Sequence, residues 1–120
     1  MPFRLSGSPT LEAGRVEYLQ GYDWGTLSAN FGEREASIVC KQLGFSQAML
    51  APAGTFAGPA AGSLYWKVSL DCLGGEADLR DCIMASTRAT KGTLAEVFCG
   101  SEKGAVYYPG PVWPPVVFSL

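Results

Sequence analysis

Apolar and polar residues alternate in short runs along most of this chain, and only one segment changes to a helical period. Residues 3–5 (Phe-Arg-Leu) and 15–19 (Arg-Val-Glu-Tyr-Leu) read as strands; in the second, Val16 and Tyr18 alternate with Arg15 and Glu17. Gly21-Tyr22-Asp23 marks a turn and Trp24-Gly25-Thr26-Leu27 a further strand, so a hairpin is expected here. Residues 33–43 are different. Ala36, Val39, Cys40 and Leu43 fall at i, i+3, i+4 and i+7, which places them on one face of a helix. Glu33 and Glu35 in the first turn and Lys41 in the last suit the helix dipole, and Gly44 supplies a residue able to end it.

The second half repeats the short-strand pattern. Residues 51–63 form a loop of small residues, and Leu64 to Leu70 a strand of aromatic and β-branched character. Gly74-Gly75 predicts a turn, residues 77–81 a short helical turn, and residues 84–92 a polar loop. Leu94 to Cys99 reads as a last strand with Val97 and Cys99 on one face. Beyond Gly104 the prolines at 109, 111, 114 and 115 remove donors and fix φ, so an extended, polyproline-like arm is expected.

Composition narrows the class. With 120 residues, 48% of them hydrophobic and 17% charged, the chain suits one domain with a modest core. Fifteen glycines and eight prolines fit strands, turns and loops better than a helical bundle. A net charge of −2 supplies no overall field to recruit nucleic acid or an anionic membrane surface. No run approaches the roughly 20 apolar residues that span a bilayer. Met1 to Leu5 show no signal-peptide pattern, which leaves a cytosolic chain or a mature fragment open.

The four cysteines, Cys40, Cys72, Cys82 and Cys99, contain no C-x-x-C pair, and the chain has no histidine. Zinc-knuckle and thioredoxin spacings are therefore absent, as are the commonest zinc ligand and the commonest general base. An even count at wide spacing in a Gly/Pro-rich chain points to two disulfides and an oxidising compartment, with four buried thiols in a cytosolic protein as the alternative. The close carboxylate pairs, Glu33/Glu35 and Asp78/Asp81, sit in a helix N-terminal turn and on a turn beside Arg80, where acids are ordinary. Catalysis is not expected.

Taken in order, five blocks resemble the scavenger receptor cysteine-rich (SRCR) domain over residues 3 to about 100. They are Arg4-Leu5; Gly14-Arg15-Val16-Glu17-Tyr18; Trp24-Gly25-Thr26-Leu27; Ile38-Val39-Cys40-Lys41-Gln42-Leu43-Gly44; and Cys72-Leu73-Gly74-Gly75-Glu76, continuing through Leu79 to Cys82. The resemblance implies a small α+β fold: a curved antiparallel β-sheet cradling one main α-helix, with long loops. Together with the change of character beyond Gly104, this gives an expected domain at residues 1–103 and a Pro/aromatic arm or linker at 104–120. The resemblance also implies two bridges, Cys40–Cys99 and Cys72–Cys82, which the chain-entropy model values on the order of 4 and 3 kcal/mol.

Two departures from the family pattern bear on function. A third bridge usual in the family is missing at both ends: Ser28 holds one position, and no cysteine lies between Cys82 and Cys99. The acids that hold Ca²⁺ or Mg²⁺ in several family members are replaced by Ala29 and Asn30, by Val68 and Ser69, and near Thr93-Leu94. Hard cations need several charged oxygens, so no metal and no cofactor is expected. Asp71, Glu76, Asp78 and Asp81 read as a solvated polar turn.

The resemblance implies an extracellular recognition module, secreted or part of a cell-surface protein, for a protein or polyanionic/glycan ligand, without nucleic-acid binding or membrane insertion. The candidate surface is basic: Arg15, Lys67, Arg88 and Lys91, with the 84–92 loop as its most mobile part. The Gly14–Leu19 segment corresponds to one used for ligands by some family members. A second reading is a structural assembly module, docking through Tyr107, Tyr108, Trp113 and Phe118 of the arm.

Overall fold

A computed structural model of the chain describes residues 1–100. The assembly arm, with Tyr107, Tyr108, Trp113 and Phe118, and the 103/104 boundary lie outside the described residues. Seven strands and one α-helix follow in the order β1 (Phe3–Ser6), β2 (Ala13–Gln20), β3 (Asp23–Ala29), α1 (Glu33–Gln42), β4 (Gln47–Leu50), β5 (Tyr65–Leu70), β6 (Ile83–Ala89) and β7 (Glu96–Gly100). A 3₁₀ turn at Leu79–Cys82 leads into β6. The strands form one sheet in the order β4-β7-β2-β3-β5-β6, with β1 also paired to β2.

The sheet is antiparallel except where β3 runs parallel to β5, with Ser28 opposite Lys67. That pair is parallel because the connection from β3 to β5 passes through the helix and β4 before returning. The β2–β3 hairpin forms as its alternation predicts, with Tyr18 opposite Gly25. The helix also forms where its period places it. Gly32 caps its start, and the Glu35 carboxylate reaches back 2.8 Å to accept from the Gly32 N–H. Its buried face (Ala36, Ile38, Val39, Cys40) joins Val16, Leu27, Val68, Leu79 and Val97 in one core.

Both bridges form as the resemblance implies. Cys40–Cys99 joins the helix to β7 across 59 positions, and Cys72–Cys82 closes a separation of 10. No described cysteine is free. Two glycines explain their blocks physically. A Cβ at Gly25 would stand 2.6 Å from the Trp66 ring, and one at Gly14, where φ is +147°, would stand 2.5 Å from the Ser6 carbonyl.

The structure corrects one element and adds another. Residues 84–92 are not a polar loop: most of the segment is strand β6, bonded to β5 from Tyr65↔Ala89 to Leu70↔Ile83. Its side chains are exposed or half-buried throughout, so the strand is made by backbone pairing and carries no apolar alternation. Strand β4, absent from the sequence pattern, pairs with β7 while three of its four residues are exposed.

Candidate functional site

Register decides which basic side chains share a surface. In the β5–β6 pair Lys67 lies opposite Thr87 and Trp66 opposite Arg88. Because successive residues of a strand point to opposite faces, Lys67 and Arg88 leave the sheet on opposite sides. Arg88 lies 5.0 Å from the centre of the Trp66 ring and donates 3.2 Å to Asp23. The ion pair is exposed at both ends and contributes little to stability. Its guanidinium is held in place on an aromatic platform while staying open to solvent.

Arg15 lies apart from these residues and is buried. It donates 2.6 Å to the Ala57 carbonyl and pairs at 3.3 Å with Glu17. Its strand, which contains the Gly14–Leu19 segment, has its first four residues buried. The geometry gives Arg15 the work of holding the 51–63 loop. Glu96, a buried acid in β7 that sequence reasoning passed over, holds the same loop from the neighbouring strand, where its carboxylate accepts from the Thr55 N–H at 2.9 Å. The available signal was an acid inside the otherwise apolar Ala95-Glu96-Val97 run.

Lys67 and Lys91 are exposed, and neither has a hydrogen-bond or ion-pair partner among the described residues. Lys67 lines an open cleft of about 510 Å³ between β3, β5, β6 and the segment ahead of β7. Ala29, Asn30, Val68, Ser69 and Thr93, the positions singled out by the missing acids, all line this same cleft. Asn30 is tied to the backbone there, donating to the Leu70 carbonyl and accepting from the Leu70 N–H, both at 3.1 Å. Ser28 closes one wall: its hydroxyl accepts from the Thr93 N–H at 3.0 Å. That bond joins the same two segments that the family's third bridge links, so a hydrogen bond stands in place of the covalent tie.

The acids near the second bridge build the turn. Glu76 accepts from the Leu73 and Gly74 N–H groups at 3.0 and 2.9 Å. These backbone donors, Leu73 foremost, hold its carboxyl below the usual range. Asp78 caps the 3₁₀ turn through the Arg80 N–H and pairs with the Arg80 guanidinium at 2.6 Å. The Arg80 side-chain hydrogen bond, the largest cause, lowers its pKa to about 2. Among the described residues no three acidic or cysteine side chains converge as metal ligands would. No described helix is long and apolar enough to cross a membrane.

Among the described residues, one α-helix packed on an antiparallel-rich sheet and tied by two bridges defines a small disulfide-stapled α+β domain. Comparison with known proteins gives the family: residues 6–100 match the model of the scavenger receptor cysteine-rich domain, and the chain belongs to that family. SRCR domains are extracellular protein-interaction modules. A superfamily protein from Patiria pectinifera is 32% identical over 110 residues, 91% of this chain and 10% of that protein. Galectin-3-binding protein from Bos taurus is 34% identical over 113 residues, 87% of this chain and 19% of its own length. Lysyl oxidase homolog 2 from Gallus gallus is 39% identical over 80 residues, 66% of this chain and 10% of that one. This chain thus spans between a tenth and a fifth of these relatives.

Among solved structures, the third SRCR domain of murine neurotrypsin is 26% identical with a TM-score of 0.57, covering 82% of this chain and 94% of that one. The SRCR domain of mouse MARCO, in its dimeric form, shares the fold at a TM-score of 0.59 and 24% identity, covering 81% and 93% of the two chains.

Proposed function

We propose that this domain is a non-catalytic, extracellular recognition module that binds an anionic partner, an acidic protein or a polyanionic glycan, without a metal ion. The observation that carries this reading is the set of exposed basic side chains on and beside β5 and β6: Lys67 and Lys91 without a described acidic partner, and Arg88 displayed on Trp66. Unpaired ammonium groups and a platformed guanidinium favour carboxylate, sulfate or phosphate. Family membership supports the extracellular setting, and the bridged cysteines suit an oxidising compartment. The absence of histidine in the chain and the engagement of all four cysteines in bridges support a non-catalytic role.

The test is binding of the full chain to a panel of immobilised sulfated, carboxylated and neutral polysaccharides across a salt series. Binding restricted to the anionic members, weakened by salt and by the Lys67→Ala/Arg88→Ala/Lys91→Ala triple variant, supports the reading. Equal binding to neutral and anionic members, or a triple variant that binds like the parent, overturns it.

A further inference from the structure

The cleft beside Lys67 differs in chemistry from the rest of the basic surface. Its walls carry no acidic side chain among the described residues. Around Lys67 they present the hydroxyls of Ser69, Thr87 and Thr93, which have no hydrogen-bond partner among the described residues. The backbone around these groups is fixed. Lys67 lies between Ser28 and Thr87 in the paired strands, and Thr93 is held against Ser28 by its N–H. Gly92 lets the chain approach this closely, because a Cβ there would collide with the Ser28 side chain.

A point positive charge ringed by free hydroxyls, in a cleft of about 510 Å³, matches one class of ligand. Volumes of roughly 300–1,000 Å³ are typical of small-molecule sites, and seven of the ten residues that line this one carry a hydroxyl, amide or ammonium group, with Ala29, Val68 and Ala85 supplying apolar surface between them. Sugars carry the complementary array of hydroxyls. An anionic substituent on the sugar supplies a partner for the ammonium. We infer that the cleft is a subsite for one acidic sugar unit of a glycan, with Lys67 pairing to its sulfate or carboxylate and Ser69, Thr87 and Thr93 bonding its hydroxyls. This inference rests on the anionic-ligand reading above and adds to it a place and a ligand class. It also assigns unequal roles to the basic residues, because Arg88 projects from the other face of the sheet.

The experiment follows backbone amide NMR signals of the full ¹⁵N-labelled chain at low salt. The probes are a sulfated heparin disaccharide, its desulfated but still carboxylated counterpart, and sodium sulfate at matched ionic strength. The variants are Lys67→Gln, Lys67→Arg and Arg88→Gln, all at exposed positions. The expected result is saturable shifts at residues 67, 69, 87 and 93, tightest with a disaccharide. Lys67→Gln should raise Kd about tenfold, the low end for losing a hydrogen bond to a charged group. Lys67→Arg should recover most of the affinity, and Arg88→Gln should leave it nearly unchanged. Preference for the sulfated or the desulfated disaccharide identifies which anionic group the ammonium meets.

Shifts gathered around Trp66 and Arg88, or a Lys67→Gln variant that binds like the parent, overturn the subsite while leaving the anionic-ligand reading intact. Inorganic sulfate binding as tightly as either disaccharide overturns the sugar assignment. A parent chain that binds none of these probes and no anionic member of the polysaccharide panel overturns both.

Discussion

Arg15 and Glu96 face each other across β2 and β7, yet they do not pair; each turns its charge to the same loop. Arg15 holds the Ala57 carbonyl and Glu96 the Thr55 N–H, so two buried, opposite charges fasten one short stretch from below. The Phe56 ring, between those two points, packs edge-on against Phe98 at 5.3 Å. The 51–63 loop, a run of small residues in the sequence, is thereby tied down at residues 55–57.

Breaking either fastening should cost stability and expose the loop. Arg15→Ala and Glu96→Ala should each destabilise by about 2 kcal/mol, the scale for orphaning a buried partner of a charged group. The double variant should lose less than the sum, since releasing one point frees what the other holds. Urea denaturation measures the energies, and limited proteolysis between residues 52 and 58 measures the release. Strict additivity would show the two contacts to be independent.

Gly25 makes room for Trp66. Gly25→Ala places a methyl 2.6 Å from the indole Cδ1 and 3.0 Å from Nε1, whose N–H donates to the Asp23 carbonyl at 3.2 Å. The ring must move, and overpacking of this kind costs about 1–3 kcal/mol. A shifted tryptophan emission spectrum together with a lower Tm is expected. An unchanged spectrum would show that the ring has room to spare.

Much of this architecture was legible in the sequence. The helix was, because one apolar face repeats from Ala36 to Leu43 against a polar remainder. The β2–β3 hairpin was, because Val16 and Tyr18 alternate with charge. Strands β4 and β6 were not, because they lie at the two ends of the sheet and bury almost nothing, so backbone pairing alone defines them. With β6 read as a loop, the register that sends Lys67 and Arg88 to opposite faces was invisible, and four basic residues looked like one surface. Arg15 joined that set for a related reason. Its partner at Ala57 lies 42 positions away, a contact that no local pattern encodes.

The two bridges should differ in worth by the chain they close. Replacing Cys40 and Cys99 with alanine should cost about 4 kcal/mol, and replacing Cys72 and Cys82 about 3 kcal/mol. The first pair is also fully buried in the core, so its loss adds packing defects to the loop entropy. Thermal unfolding of the two double variants gives the order directly. A more damaging loss of the shorter bridge would contradict it.

Acid should weaken the turn around the second bridge. The carboxyl of Asp78 drops from 3.8 to about 2 on folding, chiefly through its hydrogen bond with the Arg80 side chain. A folded-state pKa below the unfolded one means stability that is fully present above about pH 4 and is lost as pH falls toward 2. Glu76, lowered by the Leu73 N–H above all, acts in the same direction. Asp78→Asn keeps a capping oxygen and removes the charge, so its acid unfolding limb should be shallower than the parent's between pH 4 and 2. Parallel limbs would remove Asp78 from the account.

The central claim is recognition of an anionic partner by basic side chains without a bridging cation. Its most direct measurement is the affinity of the full chain for a sulfated glycan at fixed ionic strength, taken in EDTA and again in millimolar calcium. The two affinities should be the same, since Lys67, Arg88 and Lys91 need no cation to meet a sulfate. Binding that disappears in EDTA and returns with calcium would contradict the account.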